Sequence, residues 1–501
     1  MFVGMKKIFW GIGLFLIGLV VGAVVYAMAF APTSFVPPLK VIGDVEQPLS
    51  VQDLRSLGQS GSVTAQNIAY QAVPMSEVLQ QACPMGNPQE IHLVSNLDGF
   101  SAVLAYADIN ECYITFTPDN GWEAVNPKHP NSSNAKFLSE IRVVTELNNP
   151  ATGFSVISAD ADLAHTTPGQ LLTKTLQLYP YHEGASVAQH DGKDYSSQVV
   201  TWRRMFNIND LTPLKDNVSL MAVNAEGASV ITTDAAGYFE VRDNSVNYLQ
   251  TTSRTTLENI KGVIVHPPAA NISDTFYAAR HYLENKEPLL IVIIDGLTYQ
   301  QYATVADNDS ISWLKKIGAP VQAVGVYPAD YQTGLRAILT GYAAQDSDED
   351  NISNIFALAK ELNLKAVFLD AAPDDGSLAT SYALTENAVD YQNIHGSADD
   401  VLPMLTEEAI QQQPALLVLR FHNVAQARSA SGPNTEASIS AISVVDQCLE
   451  DISARWSGQL IITGAQSTGL VSTIDAPKED LPQYLNSEVM FIPYWRLGTE
   501  R

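Results

Sequence analysis

Cysteine is scarce: Cys83, Cys112 and Cys448 are the only three in 501 residues. That number excludes a disulfide-stapled scaffold and a cysteine-rich metal site. Cys83 and Cys112 are near enough to pair within one domain, but spacing does not decide whether they do. Basic side chains are also few, 28 against 54 acidic ones, leaving a net charge of −26. Such a field repels phosphate backbones, which excludes nucleic acid as a partner. It otherwise reads as a well-solvated surface. Only nine histidines occur, and none follows His422. The chain is nevertheless 46% apolar, a normal globular mixture rather than a disordered one.

One stretch lacks charge altogether, from Ile8 to Thr33. An uncharged run of that length spans a hydrocarbon core about 30 Å thick as a helix. Lys6 and Lys7 precede it, which keeps the N-terminus cytoplasmic. The expectation is a single-pass anchor through residues 8–31 with the bulk of the chain extracytoplasmic, at the cell membrane. The alternative is a signal segment cleaved after Ala27-Met28-Ala29, releasing a secreted protein. The run is longer than the 7–15 residues or so of a signal core, which favours retention. Gly18 and Gly22 form a small-xxx-small pair able to support helix pairing.

Phe35-Val36-Pro37-Pro38 reads as a stiff linker out of the membrane. Short strands and turns follow. Val41–Val45 predicts a strand and turn, Ser50–Leu57 a short helix capped by Ser50, and Pro74–Ala82 a second helix. His92–Ser95 and Ile141–Val144 predict strands, with a turn at Asp98-Gly99. The order then recurs: residues 91–116 ending at 138–144 resemble residues 218–243 ending at 257–265, with Gly99 and Gly227 in the same turn. This predicts a tandem pair of related modules.

Beyond residue 280 the pattern changes. Leu289–Ile294 is continuously apolar, the mark of a strand buried on both faces. Helices over Asn351–Leu362, Asp399–Gln412 and Thr435–Trp456 alternate with strands at Lys365–Leu369, Ala415–Leu419 and Gln459–Thr463. Alternation of this kind implies a mainly parallel sheet covered on both sides. Ligands of such sheets bind beyond the carboxyl ends of the strands, where Asp295, His422 and Gly464-Ala465-Gln466 fall. The fold class expected is therefore an α/β C-terminal domain with a mainly parallel sheet, preceded by two α+β, β-rich modules and an N-terminal transmembrane helix. The domain limits are 1–36 for anchor and linker, 37–148 and 149–275 for the modules, and 280–501 for the α/β domain.

The ordered strand-end segments IVIIDGL (291–297), YPADYQTGLRAILTG (327–341), LLVLRFHNVAQARSASGP (416–433), GQLIITGAQSTG (458–469) and EVMFIPYWRLG (488–498) resemble the alkaline-phosphatase superfamily, type I phosphodiesterase and nucleotide pyrophosphatase in particular. The resemblance implies an alkaline-phosphatase-like fold and a two-ion ester hydrolase, with one ion polarising the phosphoryl oxygen and the other activating a hydroxyl. Asp295 matches the first metal ligand. The nucleophile position falls on Tyr331, with Thr333 nearby but out of register. The remaining ligand positions fall on Ala425, Ser429, Ala465 and Gln466, and no late histidine exists. One carboxylate does not hold zinc, which takes three or four protein ligands. The expectation is an inactive relative of these enzymes that acts as a binding or scaffold protein for an unidentified extracytoplasmic protein or ligand, with no cofactor. The competing reading is a phosphoric or sulfuric ester hydrolase using Zn or Mn, with His395, Asp399 and His422 as a rearranged site. The bland reading makes His395 a loop residue, His422 a packed strand-end residue and Asp399-Asp400 a helix cap.

Segments 41–58, 72–82 and 93–109 resemble the molybdopterin-binding domain of the sulfite-oxidase type. The cysteine that family needs is missing from residues 61–75, and Cys83 lies after that stretch. The resemblance therefore implies the fold without molybdopterin.

Overall fold

The computed structural model describes residues 37–146, 153–215, 218–232, 238–249, 256–342, 354–372, 390–393, 399–465 and 485–498. The expected anchor over 8–31 lies outside these residues. Among them, no helix is long and apolar enough to cross a membrane.

The N-terminal half holds two pairs of sheets with one topology. In the first module, Leu39–Gly43 pairs in parallel with Leu138–Thr145, which pairs antiparallel with Pro88–Ser95 and through it with Ser101–Ala105. In the second, Phe154–Ile157 pairs in parallel with Ile260–Val265, then antiparallel with Leu220–Asn224 and on to Ser229–Thr232. Each module adds an antiparallel five-stranded sheet, entered through a hairpin. Gly99 and Gly227 both adopt positive φ, +71° and +84°, in the same turn of the two copies, a conformation in which glycine carries no steric cost.

Local expectations fare unevenly. Met75–Ala82 is helical and Pro88–Ser95 and Leu138–Thr145 are strands, as the pattern predicts. Ser50–Leu57 is not one helix capped by Ser50. Leu49–Val51 is a strand, and a 3₁₀ turn over Leu54–Leu57 is capped by Asp53, whose carboxylate accepts from Arg55 N. The polar cap sits three residues later than expected because Ser50 is paired opposite Lys40 in the sheet. All three thiols are free, Cys83 and Cys112 included.

The modules are pinned together through buried Asp44. Its Oδ2 accepts from Thr145 N (2.8 Å), Thr145 Oγ1 (2.9 Å) and Thr167 Oγ1 (2.7 Å), and its Oδ1 from Gly169 N (2.8 Å). Thr145 belongs to the first module and the other two residues to the second. The turn at Asp243-Asn244 docks on the first module as well, through Gly43 N to Asp243 O and Asn244 Nδ2 to Val45 O, both 2.9 Å.

The C-terminal part is an α/β domain around an eight-stranded sheet. In spatial order the strands are Ala270–Asn271, Val321–Val324, Phe491–Leu497, Gln459–Ala465, Leu289–Asp295, Leu416–Phe421, Ala366–Asp370 and Asp390–Asn393. Only Phe491–Leu497 runs against the others. The central strand Leu289–Asp295 is buried along its whole length. Leu290, Val292 and Ile294 face a core covered by the helices Tyr299–Asp307, Leu402–Gln411 and Glu436–Ser453, whereas Leu289, Ile291 and Ile293 face a core under Asp274–Glu284, Tyr331–Thr340 and Ile355–Glu361. The period-two alternation of a strand splits one apolar run between two layers.

Candidate functional site

Strand alternation selects the site. Residues 289, 291 and 293 face the second of these cores, so Asp295, the last residue of the strand, projects on the same side. Register brings three neighbours to that face. Ala465 is opposite Asp295, Arg420 is opposite Ile293 on the adjoining strand, and Asp370 is opposite Arg420 one strand further. All four are fully buried.

The charges form a chain. Arg420 Nε donates to Asp295 Oδ2 at 2.9 Å, and Arg420 Nη1 lies 3.6 Å from Asp370 Oδ2. Asp370 Oδ1 accepts from Ala372 N at 2.9 Å. His422, just past the end of the strand Leu416–Phe421, places Nδ1 2.7 Å from the same Asp295 oxygen. His422 also sits at the N-cap of the helix Asn423–Ser431. Asp399 satisfies that helix start: its Oδ1 accepts from His422 N (3.1 Å) and its Oδ2 from Asn423 N (3.0 Å). Burial pushes the Asp399 carboxyl up to about 6; the two backbone donors pull against this, and the neighbouring Asp295 charge adds to it.

Of the positions aligned by resemblance, Ala425 and Ala465 come next to Asp295 and its turn, and neither carries a ligand atom. Gly296, at φ +82°, approaches the helix Asn423–Ser431 so closely that a Cβ there would lie 2.7 Å from Ala425 Cα and 3.1 Å from its Cβ. Ala425 thus packs against the turn that follows Asp295, and Ala465 is its register partner. Both present methyl groups at positions where the resemblance implies a ligand. Ser429, one turn beyond Ala425, is exposed. Tyr331 is the first residue of the helix Tyr331–Thr340, whose N-cap is Asp330. Thr333 is tied to that cap, with Thr333 N and Oγ1 donating to Asp330 at 2.7 and 2.9 Å. Gln466 and His395 lie outside the described residues. Asp399 and His422 do meet, but through backbone donors: the carboxylate of Asp399 caps a helix while the imidazole of His422 turns to Asp295.

Among the described residues, the donor set around Asp295 does not fit the divalent ions that the resemblance implies. A guanidinium occupies the space beside Asp295 and repels a dication, and no group of three or more His, Cys, Asp and Glu among the described residues is placed to hold a metal ion. Molybdenum fits no better in the first module. Residues 61–74 form a hairpin without cysteine, Cys83 Sγ donates to Gln80 O at 3.4 Å, and burial pushes the Cys112 thiol up to about 11, away from the thiolate a metal requires.

Arg420 and Asp370 escape the sequence reading. The signal is nonetheless present, since an arginine inside LLVLRF and an aspartate closing AVFLD are charges within wholly buried strands, where such residues occur only when paired.

No family model and no curated protein matches the chain. Solved structures with a partial likeness include a protein in the alkaline phosphatase superfamily from Vibrio parahaemolyticus, at 12% identity and TM-score 0.31, covering 46% of this chain and 71% of that one. The C-terminal periplasmic domain of phosphoethanolamine transferase EptC from Campylobacter jejuni gives 11% and 0.32, covering 42% and 79%. The lipoteichoic acid synthase LtaP from Listeria monocytogenes gives 16% and 0.29, covering 44% and 67%. Likeness at this level transfers no chemistry, so the residues of the site decide.

Proposed function

We propose that the C-terminal domain is a catalytically retired member of the metal-dependent ester-hydrolase type, and that the chain works as a membrane-anchored extracytoplasmic binding or scaffold protein. The observation that carries this reading is the buried Asp295–Arg420 pair. A hydrolase of this type needs its first aspartate free to take a dication. Here an internal cation neutralises that carboxylate permanently, at no dependence on metal supply. Ala465, paired opposite Asp295, and Ala425, against the following Gly296 turn, offer no donor there. What remains is a folded α/β body held close to the modules: Ser487 N donates to Asp162 Oδ1 at 2.6 Å, and Val489 and Phe491 pack with Ile157 and Ile264.

The test is metal content together with ester hydrolysis on the purified full chain. The expectation is well under one equivalent of zinc or manganese and no turnover of p-nitrophenyl phosphate, bis-phosphate or sulfate esters with either metal added. Stoichiometric metal with turnover that is lost in Asp295→Ala sinks the proposal.

A further inference from the structure

The two modules share a topology, so each serves as a control for the other. In the first, the hairpin that opens the antiparallel sheet joins Gly61–Ala65, 5 residues, to Ile68–Pro74, 7 residues. In the second, the equivalent hairpin joins Gln177–His190 to Lys193–Phe206, 14 residues each. The first module folds with the short version, so the added length, roughly 25–30 Å of ribbon, is not needed to build the module. It is an arm.

One face of this arm carries uncovered apolar side chains, with His182, Gln189, Asp194, Ser196 and Gln198 between and beyond them. Register places Leu178, Pro180, Val187, Val200 and Trp202 on the same side, the parity change at the bulge between His182 and Gly184 included. Trp202 is 68% exposed, Val187 65%, Leu178 63% and Val200 50%. The opposite face holds the root of the arm rigid. Arg203 donates to Glu183 and to Glu240, both at 2.8 Å, and stacks 3.9 Å over the Tyr181 ring. The apolar face is thereby fixed outward. A two-stranded ribbon is marginal by itself, and this one leaves its largest side chains in water.

We infer that this face is the contact surface for a second copy of the chain, the two arms meeting face to face across a twofold axis. Charge selects that occupant. Residues 177–206 carry three acidic and three basic side chains in a chain of net charge −26. Two acidic bodies repel at contact, whereas neutral arms let them join while standing apart by more than the Debye length of about 8 Å. The face itself carries one basic and one acidic side chain, Arg204 and Asp194, so it has no net charge to select an oppositely charged partner. Arg204 is paired with Glu140 of the first module, and Asp194 accepts from Gln189 Nε2 at 2.8 Å. A face with exposed apolar side chains and no net charge can meet its own copy, the condition for an isologous dimer. Its area, about 500 Å² per copy for a ribbon ten residues long, gives about 1,000 Å² in total, the lower bound for a specific interface.

The experiment is the mass of the full chain in detergent, by light scattering or sedimentation, with detergent mass subtracted. Wild type is expected at twice 54.3 kDa. Val187→Glu/Val200→Glu/Trp202→Glu, at exposed positions, is expected to weaken dimerisation at least about 100-fold with an unchanged melting curve. A second variant, in which residues 184–198 are replaced by two glycines to give the short hairpin of the first module, is expected to be monomeric too. A wild-type monomer at about 100 µM, or a dimer that survives both variants, overturns the assignment. The latter result would move the interface elsewhere, for instance to the apolar N-terminal segment.

Discussion

Arg420 stands where a cation is wanted, its Nε 2.9 Å from Asp295 Oδ2, with both side chains fully buried. The desolvation of two charges roughly cancels their attraction, so such a pair contributes little net stability, but removing one partner strands the other. Arg420→Met is therefore expected to cost about 3–5 kcal/mol. Asp295→Asn combined with Arg420→Met should cost clearly less than the two single changes added together. Urea unfolding of the four proteins closes the cycle. Strict additivity would show that the pair is not coupled and that the ion-pair account of the site is wrong.

A second consequence concerns metals. Removing the guanidinium takes away the cation that lies between Asp295 and Asp370 and leaves His422 beside Asp295, side chains of the kind that bind Zn²⁺ or Mn²⁺ once they close on the vacated space. The Arg420→Ala protein is expected to be stabilised by millimolar Zn²⁺ or Mn²⁺, with a rise of several degrees in melting temperature, whereas wild type is indifferent. A wild-type protein that gains as much from the metal as the variant contradicts the idea that Arg420 substitutes for it.

What the sequence shows and what it hides follow from where the information resides. Leu289–Ile294 reads as a two-faced buried strand because burial is written into six consecutive residues. Asp295 and His422 are identifiable as strand-end residues for the same local reason. The charge chain is different in kind. It exists because the strands ending at Ala465, Asp295, Phe421 and Asp370 lie side by side, and spatial order is not a property of any one segment. The long arm escapes the sequence reading, although Asp191-Gly192 between strand-like runs carries a hairpin signal. Its function escapes as well, because exposure of Trp202 and Val187 depends on what the rest of the chain leaves uncovered. Ser50 and Asp53 show the limit of capping rules: both residue types cap, and only the sheet pairing of Ser50 decides between them.

Asp399 makes stability depend on pH. Its carboxyl is raised from 3.8 to about 6, so between those values the folded state binds a proton that the unfolded state has released. Stability from this group is fully present below pH 3.8 and is lost as pH rises through about 6. The shift corresponds to about 3 kcal/mol at most. Wild type is expected to unfold more easily at pH 7.5 than at pH 5.0, and Asp399→Asn, which cannot ionise, should flatten that difference. Equal slopes for the two proteins in chemical denaturation across this range would remove Asp399 from the account.

Asp44 offers the last prediction, at the joint between the modules. Its buried carboxylate gathers four donors from Thr145, Thr167 and Gly169, and Gly169 comes so close that a Cβ there would meet Asp44 Oδ2 at 2.5 Å. Asp44→Ala leaves those donors dry and unpaired, at an expected cost of about 3–5 kcal/mol. Asp44→Asn retains the shape and one acceptor oxygen but turns an NH₂ toward donors, so it should fall between wild type and Ala. Because the donors belong to different modules, the loss should appear as uncoupling. Limited proteolysis is expected to cut the connection between residues 146 and 153 faster in Asp44→Ala than in wild type, before either module is digested. If cleavage there is unchanged while overall stability drops, Asp44 supports its own module alone and does not join the two.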